Sequence, residues 1–230
     1  MDLTRLKTAP ADTRWVSVSV ERNQSCGLHA GVLYRQSNNA LAKLHFCWHR
    51  VLRLTGPSQG DIFAVPDTQF EDDKMWLAVF CARVARNIPR KNIPYNLEHD
   101  ESVRFDQDSG ELLLNGATGL SCATFILAVF RSAGHPLVDS KDWPNASAED
   151  MDVQRSFVEV LEGDARSSTQ GATVRREIGC PRIRPDHVAG ACLENYSDRP
   201  VPHAQCETNA GPVVTLLNTH RASLGLPNSL

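Results

Sequence analysis

Strand-like patterns crowd the first third of this chain, and the strong helical patterns follow them. Residues 14 to 21, RWVSVSVE, alternate strictly between apolar and polar, which predicts a half-buried strand. LHAGVLYR (28 to 35) reads as a second strand, and QSNN after it is a polar turn cluster. ALAKLHFCWHRVL then reads as a third strand, long and bent. Its Leu44, Phe46 and Trp48 share one face, and His45, Cys47 and His49 the other. TGPSQG is a turn, and DIFAVP a short strand ending at Pro66.

From there the period changes. TQFE has the form of a capping box, with Thr68 as cap and Glu71 as its partner, opening a helix over about 69 to 87. Met75, Val79 and Val84 form its apolar stripe. Residues 101 to 116 read as a loop and a weak hairpin. A second helix spans about 121 to 133, stops at Gly134, and is apolar on every side through ATFILAVF, so it is buried all round. AEDMDVQRSFVEVLEG is a third helix, with Ser147 and Asp150 at its start. RPDHVAGACL is a short helix opened by Pro185, and GPVVTLLNTHRASLG a last one opened by Pro212. Strands first and helices after predict an α+β fold, an antiparallel sheet with helices packed to one side. The expected organisation is a polar N-terminal arm (1–13), a core (14–134) and a C-terminal helical extension packed on it (135–230).

Composition narrows the function. A net charge of −3 with scattered Lys and Arg gives no electrostatic reason to expect nucleic acid. No apolar run reaches membrane-spanning length, and MDLTRLKTAPADTRW lacks the apolar region of a secretory signal, so no membrane span and a cytoplasmic location are expected. Seven cysteines without any C-x-x-C pair argue against a disulfide scaffold or a zinc finger.

GLSCATF (119 to 125) places Cys122 at the start of the buried helix. Free N–H groups and the aligned peptide dipoles there favour a thiolate, and the same groups can hold an oxyanion. Gly119 permits a sharp turn, and the N–H groups of Cys122 and Ser121 are the oxyanion donors expected. The bland alternative is a buried thiol acting as a small hydrophobe. A partner histidine decides between them. His29 precedes the small Ala30 and Gly31, which leave room for a substrate or another element. A hairpin register with Leu33 and Leu41 near the turn brings His45 towards His29 on one face, giving the nucleophile, base and orienting group of a triad.

HAGVLY, a histidine on the next strand, and a later helix opened by cysteine together resemble the circularly permuted papain-like cysteine hydrolases. These belong to the NlpC-type superfamily, with YiiX-like and lecithin-retinol-acyltransferase-like members. The resemblance covers about 14 to 134. It implies a permuted papain-like core with Cys122 as nucleophile, His29 as base and His45 as third polar residue. His49 is the alternative to His45 and a candidate for the substrate cleft; Tyr95, in the IPYN that precedes the cysteine helix, either lines that cleft or packs within its loop. It implies no cofactor. The activity implied is cysteine-dependent hydrolysis of an amide, isopeptide or ester bond in a peptide, protein or acyl substrate. An acyltransferase using the same site and a non-catalytic binding module are the alternatives.

Three rivals differ in the residues they use. Papain order would take its histidine from His187 or His203, but neither lies in a clear strand. Cys26 in NQSCG could be the nucleophile, but a strand follows it rather than a helix. A zinc site could be drawn from His45, Cys47 and His49, with His29 and Cys26 near. Ligands two apart on a strand are rarely all productive, however, so no metal is assigned. Cys47, Cys81, Cys180, Cys192 and Cys206 read as structural.

Overall fold

The computed structural model describes residues 1–23, 27–88 and 92–227; Cys26 lies outside them. The fold is α+β. Strands β1 (Leu6–Lys7), β2 (Val16–Asn23), β3 (Gly27–Arg35), β4 (Leu41–Trp48), β5 (Val51–Thr55) and β6 (Ile62–Ala64) form one antiparallel sheet in the order β1-β6-β2-β3-β4-β5. Helix α1 (Glu71–Arg86) follows. The hairpin β7 (Arg104–Phe105) and β8 (Leu112–Leu113) lies where the sequence places one. Then come α2 (Cys122–Ser132), α3 (Ala148–Gly163), α4 (Ser168–Val174), α5 (Pro185–Cys192) and α6 (His203–Ser223).

One face of the sheet is apolar. Val18, Val32, Leu44 and Phe46 share a core with Leu77 and Phe80 of α1, Phe125 and Val129 of α2, and Val188 of α5. The opposite face carries Ser17, Ser19, His29, Lys43 and His45, and these are buried too. The β5–β6 connection covers this face and brings Asp61 Oδ2 to 2.9 Å from Lys43 Nζ. β2 is therefore buried on both sides, not half-buried: alternation records the chemistry of each face, not its exposure.

Other expectations are corrected. The third strand is not one bent strand but the β4–β5 hairpin. Trp48 pairs with Val51 across a two-residue turn, and Arg50 takes φ 61°. The polar arm is not separate, since Leu6 pairs with Ala64 and extends the sheet. Helix α1 begins two residues after the expected place. Thr68 Oγ1 donates to Phe70 O at 2.7 Å, whereas the Phe70 N–H donates to Asp73 Oδ2 at 2.9 Å and starts the helix. Its buried side is Leu77, Phe80, Cys81 and Val84; Met75 and Val79 are exposed. Helix α6 starts at His203 and runs through Pro212. Packing on α5 outweighs the proline there. Cys206, Val213 and Leu217 are buried, and Asn209 Nδ2 donates to Gly190 O at 3.1 Å and Glu194 Oε1 at 2.7 Å.

The starts of α3 and α5 are as read, with Ser147 Oγ accepting from the Asp150 N–H at 3.1 Å and Pro185 in the first turn. No helix among the described residues is long and apolar enough to cross a membrane.

The hairpin of β3 and β4 positions the histidines. Leu33 pairs with Lys43, and Arg35 with Leu41 at the turn. Regular pairing stops at Val32 and Leu44, and a bulge lies between Phe46 and Trp48. Just beyond the last pair, Gly31 faces His45: a Cβ on Gly31 would sit 2.8 Å from His45 Cβ and 3.1 Å from Leu44 O. Any larger residue must push the strands apart. Gly31→Ala is expected to destabilise the fold by about 1–3 kcal/mol in urea denaturation. Unchanged stability would mean that the two strands have slack at this point.

Candidate active site

Cys122 is the first residue of α2, and Ser121 is its cap. Ser121 Oγ accepts from the Thr124 N–H at 3.2 Å, and the Ser121 N–H donates to Thr124 Oγ1 at 2.7 Å. That reciprocal pair fixes the helix start. It also corrects the expectation that Ser121 donates to an oxyanion, because its N–H is already used. The Cys122 N–H remains as the first-turn donor pointing out of the helix. Gly119 acts by close approach. A Cβ there would lie 2.3 Å from Pro94 O, and the contact lets Leu120 N–H donate to Pro94 O at 3.0 Å. The Asn96 N–H donates to Leu120 O at 3.0 Å, so the 94–96 strap is bound to the segment that leads into the cysteine.

His29 on β3 and His45 on β4 meet on the polar face, His29 Nε2 2.9 Å from His45 Nδ1. Cys122 hydrogen-bonds the His29 ring, and with Nε2 turned to His45 we assign Nδ1 as the nitrogen that meets the thiol. The other His45 nitrogen, Nε2, lies 3.3 Å from Thr55 Oγ1. Cys122 is half-buried and reachable, whereas His29 and His45 are 2% and 8% exposed.

The electrostatics divide the two rings. Burial lowers the His29 pKa, but hydrogen bonds to Cys122 and Cys47 and the charges of Cys122 and Glu21 outweigh it and raise it to about 10. Burial likewise works to raise the Cys122 pKa. The His29 hydrogen bond and charge, with the N–H groups of Ala30 and Ala123, instead hold it below the ordinary thiol range. His45 is lowered to about 4 by burial, then by the charge on His29 and by Lys43. The favoured state is thus a thiolate–imidazolium pair beside a neutral His45. In it the His29 Nε2–H donates to His45 Nδ1, and the His45 Nε2–H donates to Thr55 Oγ1.

His49 does not join this group. Its Nδ1 accepts the Tyr95 N–H at 3.2 Å, so it holds the strap instead of standing in for His45. Tyr95 lines the same cleft as Cys122 instead of only packing within its loop. Trp48 and Phe157 pack on its ring at 4.8 and 5.7 Å, and Leu97, Ile183 and Pro185 complete the apolar wall. His187 and His203 gather instead around Glu207 Oε1, at 2.9 and 3.6 Å.

Cys47, read from the sequence as structural and, in the zinc alternative, as a ligand beside His45 and His49, lies at the site. It lines the cleft, and its Sγ lies 3.5 Å from His45 Nδ1. The signal was its place two residues after His45 on the same face. The remaining structural cysteines fit their reading: Cys81, Cys192 and Cys206 are buried, and burial pushes the Cys180, Cys192 and Cys206 thiols up to about 12.

Comparison with models of protein families, with curated proteins and with solved structures finds no match.

These shifts set the pH behaviour. The thiolate is lost as pH falls through the depressed Cys122 pKa, and the imidazolium is lost as pH rises through about 10. Iodoacetamide is expected to label Cys122 first and to keep doing so at about pH 6, with His29→Ala slowing that labelling by about tenfold or more. A Cys122 profile that follows an ordinary thiol, with a midpoint near pH 8.5, would contradict the ion pair.

Proposed function

We propose that the protein is a cysteine-dependent hydrolase of the peptidase or amidase type, working through an acyl-enzyme on an amide, isopeptide or ester bond. The observation that carries this reading is the chain Cys122–His29–His45. A reachable thiol at a helix start is bonded to a histidine whose far nitrogen is held 2.9 Å from a second, neutral ring. Nucleophile, base and orienting group stand in the order that acyl transfer needs. The resemblance to the permuted papain-like hydrolases adds to it, because the same three residues fill that family's roles.

In this reading the Cys122 thiolate attacks the substrate carbonyl carbon, and the carbonyl electrons move to oxygen. The Cys122 N–H, at the positive end of α2, donates to that oxyanion. Imidazolium His29 gives its Nδ1 proton to the leaving nitrogen or oxygen, the C–N or C–O bond breaks, and a thioester remains. His29, now neutral, takes a proton from water as the water attacks the thioester. Collapse expels the Cys122 thiolate, releases the acid and leaves His29 protonated again. His45 accepts from His29 Nε2 throughout and keeps Nδ1 aimed at sulfur. The chemistry calls for no cofactor. The walls around Cys122, built by Phe46, Trp48, Tyr95, Leu97, Phe157 and Ile183, suit an apolar group beside the scissile bond.

The test is hydrolysis of a panel of peptide amides, isopeptides and esters with apolar acyl residues, followed by intact-protein mass spectrometry for the thioester. Cys122→Ala is expected to abolish turnover, and His29→Ala to lower kcat/KM by about 10²–10⁴-fold. His45→Ala should lose less and shift the pH profile. Undiminished turnover by Cys122→Ala would overturn the proposal.

A further inference from the structure

The acyl chemistry above has no task for Cys47, yet its thiol sits in the same polar nest as the two histidines. One donor atom each from His29, His45 and Cys47 lies within 4.8 Å of the others. His29 Nε2 and His45 Nδ1 are 2.9 Å apart, and Cys47 Sγ is 3.5 Å from His45 Nδ1. Zinc bonds of about 2.0–2.1 Å to nitrogen and 2.3 Å to sulfur give tetrahedral edges of roughly 3.3–3.6 Å for two nitrogens and one sulfur. To admit an ion of that size the two histidines separate by about half an ångström, and the widest of the three spacings, up to 4.8 Å, closes by about 1.2 Å.

We propose that His29 Nε2, His45 Nδ1 and Cys47 Sγ form a binding site for a zinc-class divalent transition metal, and that its occupancy silences Cys122. Two imidazoles and a thiolate are the donors such an ion prefers. Three protein ligands leave a fourth position, and Cys47 and His29 both line the cleft through which an ion and its water enter. The outer atoms of the ligands are already held. Thr55 Oγ1 meets the far nitrogen of His45, and Cys122 bonds the His29 ring, the kind of support that orients ligating histidines. The surrounding charge does not forbid a cation. Glu21 from β2 faces His29 and Lys43; Asp61 neutralises Lys43 at 2.9 Å; Arg53 on β5 is the further positive group.

Coordination replaces the proton on His29 Nε2 and takes Cys47 as its thiolate, so the ion binds with release of protons. His29 then becomes a neutral ring with its remaining proton on Nδ1. It can no longer act as the imidazolium that protonates a leaving group. The silencing rests on the hydrolase reading; the metal site does not.

Cobalt(II) added to the full chain under a non-thiol reductant separates the two. The expected result is stoichiometric binding with intense visible bands of four-coordinate cobalt and a near-ultraviolet thiolate-to-cobalt band. Cys47→Ser loses the thiolate band, whereas Cys122→Ser keeps it. Zinc should protect Cys47 from iodoacetamide in the unmodified protein, which gives the same answer without a substitution. In turnover, the zinc concentration for half-inhibition should rise at least about tenfold in Cys47→Ser relative to the wild type. Absence of stoichiometric cobalt binding overturns the site. So does a thiolate band that survives Cys47→Ser and vanishes in Cys122→Ser. A cobalt spectrum as expected in a protein that hydrolyses nothing would leave the metal site standing and sink the hydrolase reading.

Discussion

The hydrogen bond between His29 and His45 organises the site. It exists because Gly31 has no side chain, so β4 can bring His45 against β3. Once the rings touch at 2.9 Å, they cannot both be charged. The Cys122 thiolate and Glu21 assign the charge to His29, and burial, the charge on His29 and Lys43 keep His45 neutral. A neutral His45 has an acceptor nitrogen to offer, and that fixes which nitrogen of His29 faces sulfur. The depressed Cys122 pKa follows from this arrangement, with the helix start contributing N–H groups.

The chain builds this on a polar sheet face that is nevertheless buried. Lys43, Glu21 and Asp61 continue the same network away from the rings, with Lys43 Nζ 3.1 Å from Glu21 Oε1 and 2.9 Å from Asp61 Oδ2. Buried charges of this sort are costly unless paired. Here they set the field in which the histidines titrate. The second half of the chain is also part of the site: Phe157 of α3, and Arg182, Ile183 and Pro185 at the approach to α5, close the cleft that β4 and the 94–96 strap begin.

Much of this was legible in the sequence. Period-two alternation and the unbroken apolar run ATFILAVF sufficed for the order of elements; the hairpin register put His29 and His45 on one face, the helix start singled out Cys122, and the resemblance joined the three. What failed did so for tertiary reasons. His49 and His45 look equivalent on an extended strand, but the bulge after Phe46 and the turn at Arg50 send His49 to the Tyr95 N–H. Ser121 looks like an oxyanion donor until Thr124 claims its N–H. The α1 stripe was misread because Met75 and Val79 fit the helical period as well as Leu77 and Phe80 do, and only packing chooses between faces. Cys47 was drawn into the zinc alternative with His45 and His49 and with His29 near, but only the fold shows that His49 turns away to the Tyr95 N–H and that His29 of β3 is the third donor.

The most direct test of the thiolate–imidazolium pair is a ¹⁵N NMR titration of the histidine rings. The expected result is His29 doubly protonated at neutral pH and titrating near 10, with His45 neutral, protonated at Nε2 and titrating near 4. In Cys122→Ala, His29 should become a neutral ring at the same pH, because burial is then opposed by fewer negative partners. A His29 that titrates as an ordinary histidine, near 6.5, and does not respond to loss of Cys122 would contradict the pair and the chemistry built on it.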